Sequence, residues 1–277
     1  MNTIATISWL TFHEARRRRM ALAALVLGVL FLGLFTLGFS FIQSELETND
    51  VPDHVRTPIY NFLLVAGLYV VHFLTVMIAI FSSVDTISGE ITSHTIQALA
   101  TKPGQRWQIV LGKWFGFVAM VVLYLVLLSG GILLLVYMLA GYVPPNPLQG
   151  MLLIVLEALV LLALSLSGGT HLSTMTNGIV LFMLYGLAFV GSWVEQIGSM
   201  LNSNAAVNVG IVSSLLMPVE ALWRRAAHLM QPALVQEVMA SPFSIASVPS
   251  PAMVIYAMCY TAAALALAMY TFSRRDL

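Results

Sequence analysis

Residues 20–42 read MALAALVLGVLFLGLFTLGFSFI, without one charged side chain. At about 1.5 Å of rise per residue, a helix of that length crosses about 30 Å of bilayer hydrocarbon. The basic run Arg16 to Arg19 in front of it has the outline of a signal peptide. The apolar stretch is too long for a signal core, however, and no small-residue cleavage site follows, so it reads as an uncleaved first span. Five more stretches of similar character lie at about 60–83, 114–140, 150–167, 178–198 and 252–272. Each must satisfy its own backbone amides in lipid, and period-two alternation is absent, so the expectation is helices rather than a barrel.

Composition agrees with that reading. The 277 residues are 59% hydrophobic and 9% charged, against about 25% charged in an average soluble domain, and the mean hydropathy is +0.91. Six spans with short connections use up the chain and leave no room for a soluble catalytic domain, so residues 1–277 form a single membrane domain. Net charge is zero, which gives no hint of nucleic acid as a partner. The lone Cys259 lies in an apolar stretch and excludes an intrachain disulfide.

Basic residues set the orientation. With both termini cytoplasmic, that side holds Arg16 to Arg19, Lys102, Arg106, Lys113, Arg274 and Arg275, and the other side holds Arg56, Arg224 and Arg225. The acidic connection Gln43 to Pro58 and the stiff Pro144-Pro145-Pro147 turn then face outward. The long stretch Gly198 to Pro251 contains an apolar run, Ala205 to Val219, that is re-entrant, interfacial or a seventh span; a seventh span would put Arg274 and Arg275 outside. Before the first span, residues 2–19 predict an interfacial helix with Trp9 at headgroup depth and the arginines on anionic lipid. The predicted fold class is an all-α integral membrane protein of about six transmembrane helices.

The most polar cytoplasmic stretch, SVDTISGEITSHTIQALATKPGQRWQIVLGKW at 83–114, separates the second and third spans. Asp85 or Ser88 can cap a short helix carrying Glu90, His94 and Gln97, with Ile91, Thr95 and Leu99 on another face and Pro103-Gly104 ending it. Here the chain resembles the permeases of the type 2 class of ABC exporters, in which Glu, Thr, Leu, Pro, a basic residue and Gly-Lys fall in this order. Glu90, Thr95, Leu99, Pro103, Arg106, Gly112 and Lys113 take those places, while His94 stands where the family has glycine. The ending, Phe272-Ser273-Arg274-Arg275-Asp276-Leu277, is also similar to the family's ending.

The resemblance implies a permease that dimerises, as a homodimer or a pseudo-symmetric pair, in the cell membrane. It implies a separate cytoplasmic ATPase that hydrolyses the ATP and receives the 83–106 helix in a groove, with Glu90, His94, Thr95, Leu99, Pro103 and Arg106 as the coupling residues. No cofactor is expected on this chain. Other readings of the residues are a non-transporting anchor or assembly subunit, in which that helix binds a partner without coupled movement, and a stand-alone secondary transporter.

Apparent enzyme signatures fail on context. Ser129-Gly130-Gly131 sits inside a span and Ser167-Gly168-Gly169 at the end of one, so neither presents helix-terminal amides to a nucleotide, and Gly112-Lys113-Trp114 has the wrong spacing for a P-loop. Small residues in spans more often admit a neighbouring helix closely. Metal-ligand spacing is absent, although fifteen methionines and the His54-containing acidic loop invite a metal-export reading. The ionisable residues at depth are His72, Glu157 and, near the end of the fifth span, Glu195. His72 and Glu157 are candidates to line a translocation path, and a hydrogen bond to a neighbouring span satisfies the acid equally well.

Overall fold

A computed structural model describes residues 3–17, 19–89, 105–233, 235 and 247–274. Among them the chain runs α1 (Thr3–Arg17), α2 (Arg19–Thr48), α3 (Asp53–Ser83), α4 (Arg106–Ala140), α5 (Pro147–Gly169), α6 (Thr174–Met200), α7 (Asn204–Leu216), α8 (Val219–Leu229) and α9 (Pro251–Arg274). Six of these, α2 to α6 and α9, are long and apolar enough to cross a membrane. Most of them extend beyond the apolar stretch that announces them. The α2 helix continues through Gln43-Ser44-Glu45 to Thr48, and α4 begins at Arg106, because polar residues at the interface can carry on the helical hydrogen bonding.

The bundle is built around α3 and α5. Leu64, Leu68 and Val71 of α3 and Ile154, Leu161 and Leu162 of α5 are buried together with Leu125 and Leu128 of α4. The α9 helix joins this centre along a stripe of buried Ala257, Thr261, Ala264 and Ala268, small residues at helical spacing that let backbones approach. The outward faces stay apolar, as at Leu34, Met138, Leu152 and Met183, which suits hydrocarbon as solvent. Cys259 is among the exposed residues of α9.

The interfacial helix is docked as well as amphipathic. A Cβ on Gly112 would lie 2.7 Å from Ile7, and one on Gly116 would lie 2.7 Å from the Ser8 carbonyl, so these two glycines of α4 form the seat of α1.

The stretch after α6 is re-entrant. The α7 and α8 helices meet at a bend of 107°, and their contacts follow a path inward and back. Ala206 lies against Gly198 and Ser213 against Gly191, nearer the middle of α6; Glu220 then reaches His72 of α3, and Met230 returns to Gly150 at the start of α5. The break leaves carbonyls without helical partners at depth, a cost of several kcal/mol each in lipid. Tyr256 and Tyr260 of α9 donate to the Leu215 and Leu216 carbonyls at 2.5 and 2.9 Å. Both ends of this hairpin lie on one side of the bundle, so the six-span count stands.

Candidate functional site

Two polar constellations occupy this apolar bundle. The first is at mid-depth, where α3, α5 and α8 converge. His72 Nδ1 and Glu157 Oε1 share a hydrogen bond of 2.6 Å, and His72 Nε2 and Glu220 Oε1 share one of 3.2 Å. His72 and Glu157 are fully buried and Glu220 is 3% exposed. Each contact needs a proton between nitrogen and oxygen, whereas a neutral imidazole carries only one. The second proton resides on the ring or on a carboxyl, and in either case the three groups share one net negative charge. Glu157 Oε2 is buried without a hydrogen-bond partner.

Aromatic rings wall this cluster. Trp223 stacks on His72 with ring centres 5.0 Å apart, and Tyr69 lies 5.5 Å from Trp223. A second pair fixes the next turn of α8: Arg224 Nη2 donates to Glu195 Oε2 at 2.7 Å, and Ser247 donates to Glu195 Oε1 at 2.6 Å. Asn61 Nδ2 donates to the Met230 carbonyl at 2.9 Å and to the Tyr142 hydroxyl at 2.8 Å. Burial pushes the Tyr142 hydroxyl above its ordinary value, and the bond from Asn61 draws it part of the way back. The re-entrant helix is thus fastened to α3 through His72 and to α6 through Glu195, with Glu157 of α5 bonded to the same histidine, all shielded from water.

Glu220 and Arg224 do not stand out in the sequence as partners of His72 and Glu195. The signal available was a Glu and an Arg at i and i+4 on one amphipathic turn. Arg224, assigned by basic-residue counting to the external side, is 3% exposed and ion-paired with Glu195. Among the described residues no group of three or more His, Cys, Asp or Glu side chains is placed to hold a metal ion.

The second constellation lies where the 83–106 stretch leaves and re-enters the bundle. The Ser83 and Ser165 hydroxyls are 2.7 Å apart, and Asn177 Nδ2 donates to the Ser165 carbonyl at 2.9 Å. Thr174, at the start of α6, donates to Asp85 Oδ1 at 3.0 Å, and its hydroxyl lies 2.8 Å from that of Ser88. Gly168 and Gly169 permit this closeness, since a Cβ on Gly168 would sit 2.1 Å from Asn177 Oδ1. Ile87 on one flank and Ile109 and Val110 on the other share one buried cluster with Leu166 and Phe272. Glu90, His94, Thr95, Leu99 and Pro103 lie outside the described residues, and Arg106 is the first residue of α4.

With these geometries established, similarity decides the family. A family model described as ABC-2 family transporter protein matches residues 5–277. The chain belongs to the ABC-2 transporter family. A search of curated proteins finds no match. Members of the ABC-2 family are membrane subunits, which implies an ABC ATPase as the partner of this multi-pass chain. The ABC-2 match takes in nearly all of α1, every span and the re-entrant hairpin.

Proposed function

We propose that this chain is the permease subunit of an ABC exporter, working as a homodimer or a pseudo-symmetric pair in the cell membrane with both termini cytoplasmic. ATP is bound and hydrolysed by a separate cytoplasmic ATPase, and the 83–106 segment couples that ATPase to the spans through Glu90, His94, Thr95, Leu99, Pro103 and Arg106. The observation that supports coupling is the shared seat of the segment's two flanks. Ile87 and Ile109 pack with Leu166 and Phe272, so a push on the segment is delivered to α3, α4, α5 and α9 together. Rigid packing of this kind is what a lever requires. His72 and Glu157 serve the path by holding the re-entrant helix that forms part of its wall.

The test is co-expression with a soluble ABC ATPase, sought first in the genes adjacent to this one. The Glu90→Arg, Leu99→Asp double variant should insert normally, because both positions lie outside every span, and should fail to co-purify the ATPase. A double variant that still binds the ATPase and supports normal transport would refute coupling through this segment.

A further inference from the structure

The first span touches the bundle along part of its length, as where Tyr124 donates to the Ala24 carbonyl at 3.1 Å. Beside that contact a groove of about 380 Å³ runs between α2, α3 and α4, with Ala21, Ala24 and Leu27 on one wall and Met77 and Phe81 on the other. Its polar groups are already engaged: the Tyr124 hydroxyl as above, and the Ser82 hydroxyl toward the Ala79 carbonyl at 3.5 Å. The groove therefore offers a surface for apolar chains and no unspent donor.

Its position fixes what can reach it. Met20 and Ala21 follow Arg19, the first residue of α2, and Phe81 and Ser82 precede Ser83, the last residue of α3. The groove lies at that end of the spans, within one leaflet, and its walls belong to helices that cross hydrocarbon. Arg16, Arg17 and Arg19 are exposed beside its end. Apolar walls at hydrocarbon depth with cations at headgroup level complement a molecule with an acyl chain and an anionic head.

We propose that this groove is a binding site for one acyl chain of an anionic phospholipid from the leaflet on the arginine side, with its phosphate on Arg16, Arg17 and Arg19. A bound chain there fixes how α2 leans on α3 and α4. The site depends on membrane embedding alone, so it stands or falls separately from coupling to an ATPase.

The test reconstitutes the full chain into vesicles of equal parts phosphatidylglycerol and phosphatidylcholine, extracts it in mild detergent, and quantifies retained lipid by native mass spectrometry. The wild-type chain should retain phosphatidylglycerol in several-fold excess over phosphatidylcholine. Ala24→Phe fills the groove while leaving every charge, and should reduce retention several-fold; Leu27→Trp serves the same purpose should Ala24→Phe fail to fold. Leu22→Phe adds a ring at a position 57% exposed and outside the groove, and should change nothing. Replacing Arg16, Arg17 and Arg19 by Gln should abolish the preference for phosphatidylglycerol. Equal retention of both lipids by the wild-type chain, or undiminished retention by folded groove-filling variants, would overturn the site. So would a second copy of the chain found occupying the groove in place of lipid.

Discussion

His72 and Glu157 meet at 2.6 Å in the middle of the bundle, with neither exposed to any solvent. An acid at the centre of a span costs about 2.5–3.5 kcal/mol on insertion scales, and the imidazole offsets that cost by taking a proton between them. The same ring then uses its other nitrogen to hold Glu220. Through that one histidine, the depth at which α8 can rest is set by α3 and α5.

Removing the ring should therefore do more harm than softening either acid. His72→Leu leaves two buried carboxyl groups without the ring that both bond and should cost about 3–5 kcal/mol, whereas Glu157→Gln keeps a hydrogen-bonding amide and should cost about 1–3 kcal/mol. His72→Leu combined with Glu157→Leu should destabilise by less than the sum of the single variants, because the partners act as a unit. Thermal unfolding in detergent measures all of these. Glu157→Gln that lowers transport with stability unchanged would instead make the acid a direct part of the path.

The seam between α6 and α7 permits a rescue experiment. A Cβ on Gly191 would lie 1.8 Å from Ser213 Oγ and 2.4 Å from its Cβ, so Gly191→Ala should push α7 outward, with overpacking of about 1–3 kcal/mol. Ser213→Gly removes both obstructing atoms, and the next neighbour, Gly210 Cα, is 3.9 Å away. The double variant should regain most of the thermal stability that Gly191→Ala loses. A double variant as unstable as the single one would show that these helices do not meet there.

The spans were legible because lipid demands long uncharged runs, and residues 20–42 satisfy that demand without reference to anything else in the chain. His72 and Glu157 were legible as polar exceptions within such runs. Their third partner was not, since Glu220 lies in a short amphipathic turn whose composition fits an external loop equally well. The burial of Glu220 and Arg224 and their bonds to His72 and Glu195 reveal that this turn sits inside the bundle. Gly191, Gly198 and Gly210 were likewise silent, because a glycine shows its use only when the facing atom is known.

Topology follows from the hairpin's inward and outward path. In a Cys259→Ala background, single cysteines at Gln149, Asn202 and Val248 should react with a membrane-impermeant reagent from one side, and those at Thr101 and Ser273 from the other. Val248 reacting with the Thr101 side, and Ser273 with the Gln149 side, would mean that α7 and α8 together cross the membrane. It would also put Arg274 and Arg275 on the outer side, against the distribution of basic residues.

The contact between Asp85 and Thr174 allows the proposed ATPase binding to be tested apart from the proposed transmission of its movement. Asp85 accepts from Thr174 at 3.0 Å, which joins the departing 83–106 segment to the first turn of α6 and, through it, to the re-entrant hairpin. A single hydrogen bond of this kind contributes about 0.5–1.5 kcal/mol, too little for its loss to prevent folding. Asp85→Ala and Thr174→Val should therefore insert normally and still co-purify the ATPase, since neither alters Glu90 or Leu99. What should fall is the ATP-dependent change in labelling of a cysteine placed at Gln149, on the far side of the bundle. Ile87→Asp, which puts a charge into the apolar cluster with Ile109 and Phe272, should remove that change altogether. ATPase binding lost in step with the labelling response would assign Asp85 to the docking surface, and a full response in all three variants would place the transmission of force elsewhere.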